Sequence, residues 1–231
     1  MDKNRNMKKI IFLSLMFFIT IASTQTKITN NLGDFSTLKI YNGIELEMIK
    51  SEDQKIEISG EKTEKVKIKN VNGVLKISLL FPETFADGKV KVIVYYNKNI
   101  AVIDANEGAT VTGDAIIQEN LEVNTQERAF INLTVEVKNL KVRTSSGGII
   151  KLTGSAATQE VDVDLYGVYN GFALQVIEKT TVKAGTGAKA ELSPGKILSA
   201  KVNFGGSIFY KGDPEVIKDQ KIIGGIIQKR N

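Results

Sequence analysis

The residues best equipped for chemistry in this chain are two carboxylates and three bases in one repeating stretch: Asp162, Asp164, Lys141, Arg143 and Lys183. Asp162 and Asp164 alternate in the run EVDVDL, so on an extended strand they share a face. Paired carboxylates are what glycoside hydrolysis uses, and basic neighbours would suit an acidic polysaccharide. A structural reading competes with the catalytic one. Stacked on neighbouring strands, the same side chains alternate in sign, and each Asp gains a basic neighbour as in an ordinary cross-strand ion pair. The structural reading is preferred, and no catalytic residue is assigned. The five residues remain a candidate ligand face.

Composition removes other chemistries. The chain has no His, no Cys and no Trp. Without His the Ser-His-Asp and Cys-His nucleophile systems and the commonest zinc ligand are missing. Without Cys there is no disulfide, no thiolate and no cysteine for lipid attachment. The carboxylates do not form a calcium-binding nonapeptide repeat, so no metal is expected. GTG at 185–187 and GG at 205–206 are followed by β-type runs, whereas a phosphate-cradling loop needs a helix; they read as corners, and no cofactor is expected. Tyr95, Tyr96, Tyr166, Tyr169 and Tyr210 read as packing rather than sugar platforms. Asn132–Thr134 matches a glycosylation acceptor pattern only as a short tripeptide.

These residues are positioned by a repeat. Residues 99–214 divide into blocks that open with a short β-type run, meet a Gly or polar corner, and start a second run. Val102, Val123, Val142, Val163, Val182 and Val202 open them at spacings of 21, 19, 21, 19 and 20 residues. A period near 20, rich in Val, Ile and Thr and too short for helices, predicts an all-β fold, a parallel β-helix (β-solenoid) whose coils bury their apolar faces by stacking. Aligned on these valines, the preceding position reads Ala101, Glu122, Lys141, Asp162, Thr181, Lys201, and the following one Ile103, Asn124, Arg143, Asp164, Lys183, Asn203. Both columns are expected to point outward. Ile100, Leu121, Leu140, Val161, Thr180 and Ala200 are expected to line the interior.

In chain order, residues 1–24 read as a signal peptide, with Lys3, Arg5, Lys8 and Lys9 before an apolar run of 13 residues, Ile10–Ala22. Such a run is too short to span a bilayer, which takes about 20. The mature chain is expected to begin between Ser23 and Lys27. Its charge is then 27 basic against 25 acidic residues, which gives no argument for nucleic acid. Residues 25–36 read as a polar leader, and residues 37–231 as one solenoid domain. Within it, 37–96 are either half-coils or antiparallel hairpins. The hairpin reading is preferred, because Asn72-Gly73 lies between alternating runs and Ser51–Gln54 separates another such pair. Regular coils follow over 97–214, and 215–231 read as a C-terminal cover, since a bare solenoid end exposes strand edges.

The segments FSTLKIYNGIELEMIKSEDQKIEISGE, GKVKVIVYY and NFGGSIFYKGDPEVIK, with Gly-rich corners between them, resemble the head GIN domain family over Leu38 to Lys229. The resemblance implies an auto-transporter-type adhesin exported to the envelope of a Gram-negative bacterium, with a parallel β-helix. It brings no catalytic residues. Right-handed coils follow from it and from the general preference of parallel crossovers. The expected function is exported, non-enzymatic binding of a glycan or protein, with neither nucleic acid nor a transmembrane span. A polysaccharide-active enzyme and a purely structural envelope protein are the alternatives.

Overall fold

The computed structural model describes residues 26–30 and 32–231. The signal-peptide segment therefore lies outside the described residues. The strands are β1 (Thr26–Asn30), β2 (Thr37–Ile40), β3 (Glu45–Lys50), β4 (Lys55–Gly60), β5 (Val66–Val71), β6 (Val74–Leu79), β7 (Val90–Tyr96), β8 (Val102–Ala105) and β9 (Thr110–Gly113). They continue as β10 (Ile116–Thr125), β11 (Phe130–Thr144), β12 (Ile149–Val163), β13 (Val168–Ala184), β14 (Lys189–Ser193), β15 (Ile197–Val202), β16 (Ser207–Tyr210), β17 (Val216–Lys221) and β18 (Ile226–Lys229).

The result is a parallel β-solenoid. One ladder runs β6–β2–β8–β10–β11–β12–β13–β15–β17, and the other β7–β3–β9–β11–β12–β13–β14–β16–β18, with the long strands bending to serve both. Alternation explains it. In β11 the pattern of buried and exposed residues changes at nearly every position, which puts Ile131, Leu133, Val135, Leu140 and Val142 inside. Among the described residues fifty apolar side chains form one continuous buried core from Leu32 to Ile208, so each coil depends on its neighbours for burial.

The N-terminal region combines the two expected arrangements. β5 and β6 form the antiparallel hairpin at Asn72-Gly73. The other expected hairpin, across Ser51–Gln54, is not formed. β7 lies between β3 and β4, parallel to the first and antiparallel to the second. The 25–36 segment is not merely a leader, because β1 pairs antiparallel with β4. At the other end β17 and β18 cover the preceding coil as one more parallel rung. Every residue of β17 is exposed. Positions continuing the inward columns of Ala200 and Val202 are occupied there by Asp219 and Lys221. Inward charges on an outermost strand deter the addition of a strand from another chain.

Each coil turns from the first ladder to the second through a tight corner. At Asn42-Gly43, Glu107-Gly108, Glu127-Arg128, Ser146-Gly147, Leu165-Tyr166 and Phe204-Gly205 two consecutive residues have positive φ. An i+3 N–H to i carbonyl bond closes each, as from Ala109 to Asn106 (3.0 Å) and from Gly167 to Asp164 (2.8 Å). This is the type I′ pattern, which favours Asn and Gly. The corners also bond from coil to coil, Gly108 N to Glu127 O at 2.9 Å and Gly147 N to Leu165 O at 3.0 Å. Beneath them the buried Thr125 hydroxyl donates to that of Thr144 (2.8 Å), which donates to Gly148 O (2.8 Å).

Candidate functional site

The outer face of the first ladder carries the side chains singled out by the sequence, in a corrected register. Val123, Val142, Val161 and Val182 stack directly, with Ile103 before them and Ala200 after. The expected column had Val102, Val163 and Val202 at those ends and at the fourth coil. At the fourth coil the cause lies in β13, which has two one-residue bulges relative to β12, between Lys151/Thr153 and between Ala156/Thr158. They lengthen that coil, while the coil before it is shorter than the valine spacing implied. Two consequences follow for the interior. Gln159, not Val161, stacks between Leu140 and Thr180, and Val161 joins the valine column.

The outward column therefore reads Lys39, Asp104, Asn124, Arg143, Asp162, Lys183, Lys201, and its neighbour Val102, Glu122, Lys141, Glu160, Thr181, Ser199. Alternation of sign survives from Arg143 to Lys183 and from Glu122 to Glu160, but Lys201 follows Lys183 with like charge, and Asp162 takes the place expected for Asp164. Asp104 accepts from Lys39 Nζ at 2.9 Å, a bond that raises the Lys39 ammonium above its ordinary pKa. Arg143 reaches back to Glu122 (2.7 Å), whose carboxylate also accepts from Asn124 (3.0 Å). Asp164 lies off the column at the corner, where its Oδ1 accepts from the backbone N–H of Leu165 and of Thr186, both at 2.8 Å. It ties one corner to the next.

Two adjacent grooves follow this face. One, of about 640 Å³, crosses five coils, from Val102 to Thr181, over Asn120, Glu122, Asn139, Lys141, Thr158 and Glu160. The other, of about 380 Å³, lies nearer the corners and includes Asp104, Asn124, Arg143, Asp162 and Asp164. Lys183 lies one coil beyond, in a shallower groove with Lys201 and Lys218. The structure thus brings four of the five predicted residues to two neighbouring grooves and leaves Lys183 beside them. Sequence reasoning missed the amide ladder in the larger groove, where Asn139 donates to Asn120 and Thr158 to Asn139, both at 2.9 Å. Its signal was present in the recurring NLEV, NLKV and TQEV. Among the described residues no cluster of acidic side chains is suited to a metal.

The family model "Putative auto-transporter adhesin, head GIN domain" matches residues 34–214. The chain belongs to this family. Solved structures agree on the fold of this head GIN domain. A putative adhesin from Bacteroides fragilis NCTC 9343 superposes with a TM-score of 0.81 at 16% identity, covering 90% of this chain and 98% of the other. A putative adhesin from Parabacteroides merdae ATCC 43184 gives 0.72 at 19% identity, over 91% and 98%. A putative lipid binding protein from Parabacteroides distasonis ATCC 8503 gives 0.68 at 17%, again over 91% and 98%. No curated protein matches the chain. No helix among the described residues is long and apolar enough to cross a membrane.

The charge column gives a direct test of register. Asp162→Lys places like charges beside Arg143 and Lys183 and should cost about 1 kcal/mol, less at high salt. Lys183→Glu in the same protein should restore most of that, because the glutamate then stands between the introduced lysine and Lys201. Asp164→Lys should also destabilise, through the two lost corner bonds, but Lys183→Glu should not rescue it. Denaturant midpoints of the four variants at low and high salt decide; rescue of Asp164→Lys instead would overturn the register.

Proposed function

We propose that this head GIN domain is a non-enzymatic binding protein of the cell envelope or surface, exported from the cytoplasm, that holds an extended polar ligand, a glycan or a protein segment, against the outer face of the first ladder. One observation carries the reading. The two adjacent grooves present amide, hydroxyl, carboxylate and cationic groups in repeating order along several coils, so a ligand with its own repeat would meet the same groups again at each step. Rows of hydrogen-bonding side chains on a rigid sheet suit such ligands, since the protein loses little freedom on binding. The adhesin names of the family and of its structural neighbours support binding over catalysis. So does Asp164, whose carboxylate is occupied by two backbone donors. Lys141, Arg143, Asp162 and Lys183 are proposed contacts.

A glycan array and a pull-down against extracellular matrix proteins test this, followed by titration of the ligand found. Asn139→Ala with Lys141→Ala, both on the larger groove, should weaken binding tenfold or more with little change in thermal midpoint. Turnover of an acidic polysaccharide abolished by Asp162→Ala would overturn the non-enzymatic reading. The absence of binding in both screens would favour a structural envelope protein.

A further inference from the structure

The stack of corners changes character along the solenoid. Its first left-handed position holds Asn42, Glu107, Glu127 and Ser146 in the early coils, then Leu165 and Phe204. Leu165 and Tyr166 occupy both left-handed positions of one corner, with φ of 45° and 62°, and Phe204 has 46°. Bulky apolar residues are disfavoured there by Cβ sterics, where Asn or Gly would fit. Burial offers no compensation. Leu165 is 48% exposed, Tyr166 69% and Phe204 60%. Ile222 and Ile223, at the corner that bonds to Gly205, are 50% and 56% exposed. The Tyr166 ring lies over Gly187 of the next corner, Thr186-Gly187, which interrupts the row before Phe204. The tips on either side of it stay exposed, and an apolar strip standing in water points to a surface that covers it.

Charge says which surface. Residues 178–231 carry ten Lys or Arg against five Asp or Glu, whereas residues 25–177 carry 17 against 20. Lys201 and Lys218, both on outward columns, stand within four residues of Phe204 and Ile222 respectively. A second copy would bring like charge against like charge, and the inward Asp219 and Lys221 oppose strand addition at that end. Protruding aliphatic and aromatic tips set among lysines instead match an anionic lipid surface, in which the tips enter the interfacial layer and the ammonium groups meet phosphates. We propose that the C-terminal corners of the solenoid, Leu165, Tyr166, Phe204 and Ile223, dock on an anionic lipid surface and hold the acidic N-terminal coils away from it. The proposal is independent of the ligand grooves.

The test uses the whole mature chain and vesicles of phosphatidylcholine alone or with 30% phosphatidylglycerol, read by co-sedimentation. Binding is expected to the anionic vesicles and to fall with salt. The triple variant Leu165→Asn, Tyr166→Gly, Phe204→Asn gives these corners residues that suit their backbone, so it should fold as well as the parent, and its binding should fall tenfold or more. Lys201→Gln and Lys218→Gln should each lower binding about fivefold. The parent's failure to bind anionic vesicles would overturn the proposal, as would unchanged binding of the folded triple variant. Concentration-dependent dimerisation abolished by that variant would assign the strip to a second copy and overturn it too.

Discussion

Tyr169→Ala should destabilise the solenoid by about 3–5 kcal/mol, the usual cost of deleting a large ring from a packed interior. The side chain is fully buried, the largest of those in the core. Its ring occupies space that Gly171 leaves free, since a Cβ at Gly171 would lie 2.5 Å from ring atoms. Inside the coil the Tyr169 hydroxyl accepts from the amide of Gln159, itself 3% exposed. Burial pushes the hydroxyl's pKa well above the ordinary tyrosine range, so it stays protonated at any working pH. Tyr169→Phe keeps the ring but orphans the amide, and about 1–3 kcal/mol should be lost. Pairing it with Gln159→Leu removes both polar groups and should recover much of that loss. Denaturant midpoints for the three variants separate packing from hydrogen bonding. A Tyr169→Phe variant as stable as the parent would mean that the pair is not buried together.

Gly154→Ala should be among the most damaging of the glycine substitutions, at about 3 kcal/mol or more. Gly154 has φ of 103°, which L side chains rarely adopt, and a Cβ would lie 2.2 Å from the carbonyl oxygen of Val135. The obstruction is ladder backbone, so no rotamer change relieves it. Gly205→Ala is the control. Its φ is 77° but nothing lies within 4 Å of the added carbon, so only the conformational term, about 1 kcal/mol, should appear. Thermal midpoints of the two should therefore differ by several degrees. Equal losses would mean that the coils can slide apart locally to admit a methyl group.

The solenoid itself was legible because its signal is repeated: β-branched runs, polar corners and a period near 20 accumulate over many coils. The register was less so. Val161 and Val163 both point inward, and a two-residue slip preserves every inside–outside assignment, so alternation alone cannot distinguish them. The bulges of β13 then absorbed the error in the next coil. Asp164 consequently looked like a member of the charge column, although it belongs to the corner. The Gln159–Tyr169 pair was hidden for another reason. A glutamine in TQEV and a tyrosine in GVYNG look like surface residues, and only the closure of the coil brings them together in the interior. Tyr166, three residues earlier, looks similar in sequence yet faces water.

The parallel ladders also determine how the molecule would respond to being pulled. Hydrogen bonds between coils run along the solenoid axis, and the N- and C-terminal strands of the stack, β1 and β18, lie at opposite ends of it. A load applied between those ends therefore meets the bonds one coil at a time rather than all together in shear. The open, fully exposed β17 is the place where peeling starts. Each coil released would give up roughly 60–70 Å of chain for a modest force. A tether with that response yields gradually under flow, lengthening while its remaining coils stay intact and keep their grip.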